Sequence, residues 1–161
     1  STRIQHFVVD WGAQLTSIHR DLDLDRDLDM PNFLDLTSST TSLAGKSINI
    51  TSGTGHDILW LSDANETINS GNGNDQITLN GGTDTLETSL GSDAVTISNY
   101  FGNLTITDFD ISTDTFIFKS PSNAVSVSGN VITVANTLGD YVITLSNNPD
   151  LSDLSAFSTF A

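Results

Sequence analysis

The chain has 161 residues with 20 acidic side chains against five Lys and Arg, giving a formal net charge of −15, and it has no cysteine. This length is typical of one domain, and the lack of cysteine excludes disulfides, thiolate metal sites and a cysteine nucleophile. The negative charge argues against binding to nucleic acid or anionic lipid, and no apolar stretch predicts a membrane span or a signal peptide.

The acids are almost all aspartates, since only Glu66 and Glu87 are glutamates. Ser, Thr, Asn and Gly are abundant as well, and these residues favour turns over helices because their side chains bond to nearby backbone. Ile, Leu and Val are also frequent, which argues against disorder. We therefore predict an all-β fold, and because the chain begins at Ser1 we expect it to be a piece of a longer protein.

Residues 1–42 are predicted to form an N-terminal capping segment. The stretch 4–11 is apolar enough to be ordered, and in 21–29 Asp alternates with Leu in the period of an extended strand. An EF-hand loop starting at Asp21 is excluded because Arg26 stands where the turn glycine is needed. The acidic stretch is then either a further calcium site or a charged edge that discourages strand addition.

The centre of the chain, from residue 43 to residue 105, repeats with a period of nine residues. An apolar side chain recurs in the eighth position of each repeat: Ile50, Leu59, Ile68, Ile77, Leu86, Val95 and Leu104. An acid recurs in the sixth position of the five middle repeats: Asp57, Glu66, Asp75, Asp84 and Asp93. Chance would produce two such columns in fewer than about one sequence in a thousand, so we treat the repeat as a structural unit.

Each repeat combines a short strand with a turn that could hold a hard cation. The apolar residue and its polar neighbours predict a strand with one inward side chain. The glycines before it allow positive φ and bring carbonyl oxygens into a loop that the acid can join. Oxygen ligands without nitrogen or sulfur favour calcium. The alternative is a metal-free β-solenoid whose aspartates serve only as turn residues.

The repeats 52–60 and 70–78 each read Ser-Gly-x-Gly-x-Asp, which resembles the Gly-Gly-x-Gly-x-Asp nonapeptide of the RTX (repeat-in-toxin) family. This resemblance implies a calcium-binding parallel β-roll over 43–118, with two nonapeptides in each coil of about 18 residues. Asp57, Asp75 and Asp93 would then line one edge, and Glu66 and Asp84 the other. The resemblance adds these turn residues as candidate ligands: Ser52, Thr54, Gly55, Ser70, Asn72, Gly73, Gly82 and Gly91.

The segment 106–118 resembles the part of RTX proteins that closes the roll, which makes Asp108, Asp110 and Asp114 candidate ligands of a terminal ion. Residues 119–161 are predicted to form a C-terminal β cap, with antiparallel strands at 124–128, 131–135 and 141–145. Gly129 and Asn130 give the first hairpin a two-residue turn. The acidic and then apolar tail 150–161 resembles the C-termini of type I secreted proteins.

The sequence contains no zinc-protease or serine-hydrolase motif and only three histidines, so we do not expect an enzyme. The leading hypothesis is a calcium-binding module that folds after export at the C-terminus of a secreted or cell-surface protein, such as an adhesin, surface-layer protein or toxin. A Gram-negative-type type I secretion machinery would export it, and calcium would be its cofactor. The alternative is a module that binds a polysaccharide or cell-surface ligand, attached to a polysaccharide-modifying enzyme or adhesin, with Trp60, Tyr100 and Phe101 as candidate contacts.

Overall fold

The computed structural model describes residues 5–8, 19–23, 32–37, 42–98 and 100–161, the first two segments as backbone. Most of the predicted cap and of the Asp-Leu stretch, including residues 9–18 and 24–31, lies outside the described residues. The strands are β1 Gln5–Val8, β2 His19–Asp23, β3 Asn32–Asp35, β4 Ser47–Thr51, β5 Ile58–Trp60, β6 Asn65–Asn69, β7 Gln76–Leu79, β8 Gly82–Glu87, β9 Ala94–Ile97, β10 Gly102–Ile106, β11 Thr115–Phe118, β12 Val125–Ser128, β13 Val131–Val134, β14 Tyr141–Leu145 and β15 Ser158–Phe160.

The strands alternate between two sheets, as the β-roll prediction requires. Sheet A has the order β1-β3-β5-β7-β9-β11-β15 and sheet B the order β12-β13-β14-β10-β8-β6-β4-β2. All pairs are parallel except β12 with β13 and β13 with β14. The all-β prediction, the parallel roll and the antiparallel C-terminal cap are therefore confirmed, and Gly129 takes the positive φ of 60° that its hairpin turn needs.

Strand pairing crosses both predicted domain boundaries. Strand β2 pairs with β4 across residue 42, and β11 pairs with β15 across residue 118. The boundaries themselves stay predictions.

In the part of the chain that the structure describes, helix is confined to 3₁₀ turns at Ser122–Ala124 and Leu154–Phe157, and neither could span a bilayer.

The coils have the expected length in the centre and become longer toward both ends. Ile58 pairs with Gln76 and Gln76 with Ala94, each one coil of two nonapeptides later. From β8 to β10, however, the register places Leu104 opposite Asp84 rather than opposite Leu86. Two additional residues in the turn before β10 cause this shift, so Leu104 takes the register of the acid column and Ile106 that of the apolar column.

The core lies between the two sheets. The predicted apolar residues Ile50, Leu59, Ile68, Ile77, Leu86, Val95 and Leu104 are all 2% exposed or less. Phenylalanines replace the smaller aliphatic residues at the C-terminal end, where the ring of Phe116 stacks on those of Phe109 and Phe118 at centroid distances of 4.3 and 5.5 Å. Phe118 in turn stacks on Phe160 of the last strand. These rings close the roll and hold the tail segment against it.

Candidate metal centre

A row of buried carboxylates runs along one edge of the roll, where the turns enter sheet A; we call it the first edge. It consists of Asp57, Asp75, Asp93 and Asp114, none of them more than 4% exposed. The backbone N–H of each of the first three donates to Oδ1 of the aspartate in the next coil, with distances of 2.8, 2.8 and 3.1 Å along the row. The predicted alignment of Asp57, Asp75 and Asp93 is therefore present, and Asp114 extends it by one coil.

The nine-residue pattern explains why these acids are buried. In each repeat the acid stands two positions before the apolar residue, as Asp75 does before Ile77. Side chains two apart on an extended backbone point to the same side. Asp75 and Ile77 both lie inside the roll, so packing of the apolar column carries the acid column into the interior at its edge.

The second oxygens of the first-edge carboxylates differ in their partners. Oδ2 of Asp57 accepts from the Ser52 hydroxyl. The Ser70 hydroxyl lies near enough to Asp75 to lower its pKa but donates to the Thr88 carbonyl, so Oδ2 of Asp75, like Oδ2 of Asp93, is buried without a hydrogen-bond partner. An unpartnered buried acceptor costs about 1–3 kcal/mol. Two adjacent members of the row therefore each present an oxygen that a cation could bind.

Burial acts on the ionisation of this row as well. It raises the pKa of Asp75 from 3.8 to about 7, and the charges of Asp57 and Asp93 add to the effect. Burial likewise raises the pKa of Asp93 to about 6, with Asp114 and Asp108 contributing repulsion. The cause is in each case the loss of water around a charged carboxylate without a counter-ion.

The turns above this row stack closely, and glycines make the stacking possible. Gly71 and Gly73 adopt φ of 82° and 143°. A Cβ on Gly71 would lie 1.6 Å from the carbonyl oxygen of Gly53, and a Cβ on Gly73 would lie 1.5 Å from that of Gly55. Carbonyl oxygens of one turn thus pack against the next turn beside the carboxylates, which gives the oxygen-only environment that suits a hard cation.

Gly71→Ala should disrupt the stack, and Gly45→Ala is its matched control. Gly45 has a similar φ of 75°, but a Cβ there would meet nothing within 4 Å. We expect Gly45→Ala to lower the free energy of unfolding by about 1–2 kcal/mol, the cost of a left-handed alanine. Gly71→Ala adds a clash with rigid backbone and should cost at least about 3 kcal/mol or prevent folding. Urea unfolding of both variants measures the difference, and equal losses would contradict this packing.

A second pair of carboxylates lies on the opposite edge, where the turns enter sheet B; we call it the second edge. Glu66 and Asp84 are 1% and 2% exposed, and the Glu66 N–H donates to Asp84 Oδ1 at 2.9 Å. The Ser62 N–H and hydroxyl both donate to Glu66 Oε1. Oε2 of Glu66 and Oδ2 of Asp84 accept no bond from another donor. Burial raises the pKa of both groups, and that of Asp84 rises further through the charge of Glu66 and through a hydrogen bond between the two side chains when one of them carries a proton.

The other residues predicted from the resemblance lie in the turns around these rows. The Ser70 hydroxyl bonds to the Thr88 carbonyl at 3.2 Å, and Thr54 pairs with Asn72 across neighbouring turns. The backbone N–H of Asn72 donates to the carbonyl of Gly53, and the backbone N–H of Gly55 donates to the carbonyl of Asn72. Gly55, Gly73, Gly82 and Gly91 all have positive φ.

The three acids predicted to bind a terminal ion, Asp108, Asp110 and Asp114, make different contacts. Both oxygens of Asp108 accept bonds from the backbone of Thr88 and Ser89 at 2.8 Å, so this acid holds the turn before β9. Asp110 is exposed and bonds to Ser112. Asp114 alone joins the first-edge row, where its Oδ2 accepts from the Asp110 N–H at 3.0 Å.

Three residues of these edges escaped prediction. Ser62 stands four residues before Glu66, a spacing close to that of Ser52 and Asp57, which is a signal the repeat alignment could have given. Asn32 donates its backbone N–H to Asp57 Oδ1 at 2.6 Å, and the charges of Asp84 and Glu66 on the second edge raise the pKa of Tyr141. Asn32 and Tyr141 lie outside the repeat, which spans residues 43–105, and no local sequence pattern predicts that they belong to the edges.

Within the described residues, no three carboxylates or imidazoles converge on a single point. The oxygens without a partner, on Asp75 and Asp93 of the first edge and on Glu66 and Asp84 of the second, instead lie along lines that follow the coils. A cation held here would need backbone carbonyls to complete its coordination, as calcium commonly does.

A family model for the RTX calcium-binding nonapeptide repeat, in four copies, matches residues 49–77 and 60–95. No curated protein matches the chain. Among solved structures, the chain is similar to the solution structure of the AlgE6R3 subunit of the Azotobacter vinelandii mannuronan C5-epimerase. The identity is 23%, the TM-score is 0.36, and the similarity covers 84% of this chain and 81% of that one.

Proposed function

We propose that the whole chain, whose residues 49–77 and 60–95 match the RTX calcium-binding nonapeptide repeat, is a non-catalytic module whose folding depends on calcium. The observation that supports the proposal most is the pair of carboxylate rows. Four buried carboxylate oxygens, on Asp75, Asp93, Glu66 and Asp84, have no hydrogen-bond partner. Burying these oxygens without a partner lowers the stability of the fold when no cation is present, whereas a bound cation would use them as ligands.

We assign the first-edge ions to the spaces between successive aspartates. Asp57, Asp75 and Asp93 would hold them with carbonyl oxygens of the stacked glycine turns, while Ser52 and Ser70 fix the turn on each side. Bound calcium would supply positive charge and accept six to eight oxygens, so it suits a site built from single carboxylate oxygens and carbonyls. Glu66 and Asp84 would form the corresponding site on the second edge.

Linkage would convert these sites into a folding switch. With calcium near 1 mM and a dissociation constant near 10 µM, each independent site would stabilise the folded chain by about 2.7 kcal/mol. Without calcium the buried acids repel one another and oppose folding. Two or three occupied sites would then decide whether the roll forms.

This behaviour suits a protein that crosses a narrow secretion channel unfolded and folds outside, where calcium is plentiful. We propose that the module belongs to the C-terminal part of an exported protein, such as an adhesin, surface-layer protein or toxin, carried by type I secretion. The tail 150–161 would be read by that machinery before folding. It pairs with the roll through β15 and buries Phe157, so recognition would have to precede folding.

Circular dichroism with calcium and with a chelator tests the proposal. We expect the far-ultraviolet β spectrum in chelator at pH 7.5 to be weaker and to melt at a much lower temperature than in 1 mM calcium, about the concentration assumed above. Magnesium is the control and should act weakly, because it demands a rigid octahedron and dehydrates reluctantly. The same folded spectrum and melting temperature with and without calcium would refute the switch.

A binding role for a polysaccharide or surface ligand is the second candidate. Tyr100 is 54% exposed and lines an open hollow of about 230 Å³ together with Asp63, Asn80 and Ser42. An aromatic face beside polar groups is a common arrangement for holding a sugar ring. Trp60 ends β5 of sheet A and packs edge-on against Phe33 with ring centroids 4.8 Å apart, whereas Tyr100 lies in the turn before β10 of sheet B. Trp60 and Tyr100 are therefore separate candidate contacts. Binding to a panel of neutral polysaccharides discriminates this role from a purely structural one.

A further inference from the structure

Three buried oxygens along the second edge lack a hydrogen-bond partner. Two belong to the carboxylates of Glu66 and Asp84, and the third is the hydroxyl of Tyr141. Tyr141 is fully buried and begins β14, in the C-terminal cap rather than in the repeat. The cap thus places a polar group beside the acids of the second edge.

The backbone register explains how the tyrosine reaches these acids. Gly82 of β8 pairs with Gly102 of β10, and Gly102 pairs with Tyr141. Gly102 has no side chain, and a Cβ there would lie 3.1 Å from Cε2 of Tyr141. The ring therefore extends across the space that Gly102 leaves open, toward the coil that carries Asp84.

The electrostatics agree with this placement. Burial raises the pKa of the Tyr141 hydroxyl, and the charges of Asp84 and Glu66 raise it further. The phenol therefore stays neutral, and its buried oxygen lies within the electrostatic influence of both carboxylates. A neutral oxygen can serve as a ligand for a hard cation beside charged ones.

The tyrosine also stands where the acid row ends. On the first edge the row continues past the repeat through Asp114. On the second edge the residue opposite Asp84 in the next coil is Leu104, which has no polar atom to offer. Tyr141 is the polar side chain that the following strand of sheet B brings to this end of the row.

While Glu66 and Asp84 are both ionised, as a bound cation would hold them, hydrogen bonding within the cluster cannot satisfy all three oxygens. Both carboxylates only accept when ionised, and the single O–H of Tyr141 can serve one of them. The remaining oxygen would stay buried and unpartnered at a cost of about 1–3 kcal/mol. A cation satisfies all three oxygens at once, and the carbonyl oxygen of Ala64, against which Gly82 packs, adds a further oxygen on the same edge.

We propose that Tyr141 supplies the third side-chain oxygen of the cation site formed by Glu66 and Asp84, so that the repeat and the C-terminal cap hold this ion jointly. The proposal rests on the calcium-dependent function proposed above and adds a ligand from outside the repeat. Its consequence is that occupation of the second edge stabilises the β13–β14 hairpin together with the roll.

The test is Tyr141→Phe, which removes the hydroxyl and keeps the packed ring. Tyr100→Phe is the matched control, because Tyr100 is the other tyrosine of the chain and is exposed. Calcium binding is measured by isothermal titration calorimetry, and the calcium-induced change in tyrosine absorbance is recorded for each variant. Circular dichroism in saturating calcium verifies that the variants are folded.

We expect Tyr141→Phe to weaken one class of calcium sites by at least about tenfold, to leave the remaining sites unchanged and to lose the absorbance change. Tyr100→Phe should match the wild type in both measurements. If wild type binds calcium and Tyr141→Phe binds the same number of ions equally tightly, the role of Tyr141 is refuted while the proposed function stands. If wild type binds no calcium, the proposed function itself fails.

A double-mutant cycle adds a second criterion. Glu66→Gln should weaken the same class of sites as Tyr141→Phe, and the double variant should lose little more than either single variant. Asp93→Asn, on the first edge, should instead add its full effect to that of Tyr141→Phe. Additive effects of Glu66→Gln and Tyr141→Phe would refute a shared site.

Discussion

In Asp75→Asn, the calcium-free protein should be more stable than wild type at pH 8, and its response to calcium should be much smaller. Asp75 is buried, and its Oδ2 has no partner. The amide removes a buried charge, and its nitrogen can donate to the neighbouring carboxylates of the row. We expect a gain of about 1–3 kcal/mol in the free energy of unfolding without calcium, the usual cost of an unsatisfied buried group.

The loss of calcium response follows from the position of Asp75 in the middle of the first edge. It receives a bond from Asp57 and donates one to Asp93, so its carboxylate would contribute to the sites on both sides. Glu66 has one carboxylate neighbour in its row, Asp84. Asp75→Asn should therefore reduce the calcium-dependent rise in melting temperature more than Glu66→Gln does.

Asp150→Asn is the charge-matched control, because Asp150 is exposed and lies outside both rows. It should change neither the stability without calcium nor the calcium response by more than about 0.5 kcal/mol. Melting curves with calcium and after chelation measure all three variants. If Asp75→Asn and Asp150→Asn behave alike, the burial of the first-edge charge has no energetic consequence, and the proposed switch loses its basis.

The nine-residue pattern carries enough information to predict the central roll. Two columns of residues, one acidic and one apolar, determine which side chains lie inside, and their period gives the register between coils. Asp57, Asp75 and Asp93 therefore align as expected. The prediction succeeds because strand period and turn length are local properties that repeat without interruption.

The nine-residue pattern does not predict the position of a residue where the coils change length or where segments distant in sequence pack together. Leu104 fits the apolar column in the sequence, yet two additional turn residues place it in the register of the acids. Asn32 and Tyr141 contact the edges from coils that share no motif with the repeat. Their positions depend on how far the loops between strands reach, which composition and periodicity do not encode.

Acidification should have opposite effects on the calcium-free and calcium-bound protein. The pKa values of Asp75 and Asp93 in the folded chain are raised to about 7 and about 6 from 3.8. A group with a raised folded pKa stabilises the fold fully below its unfolded pKa, and this contribution is lost as the pH rises through the folded pKa. Without calcium, the roll should therefore be more stable at pH 5 than at pH 8.

With calcium, protons and metal compete for the same oxygens, so acidification should weaken calcium binding. The difference in melting temperature between calcium-loaded and calcium-free protein should be largest at pH 8 and should shrink toward pH 5. Calcium is removed with a chelating resin, because soluble chelators lose affinity in acid. Asp75→Asn should flatten the pH dependence of the calcium-free protein, whereas Asp150→Asn should preserve it. A calcium-free roll that becomes less stable from pH 8 to pH 5 would contradict the buried, repelling carboxylates on which the switch depends.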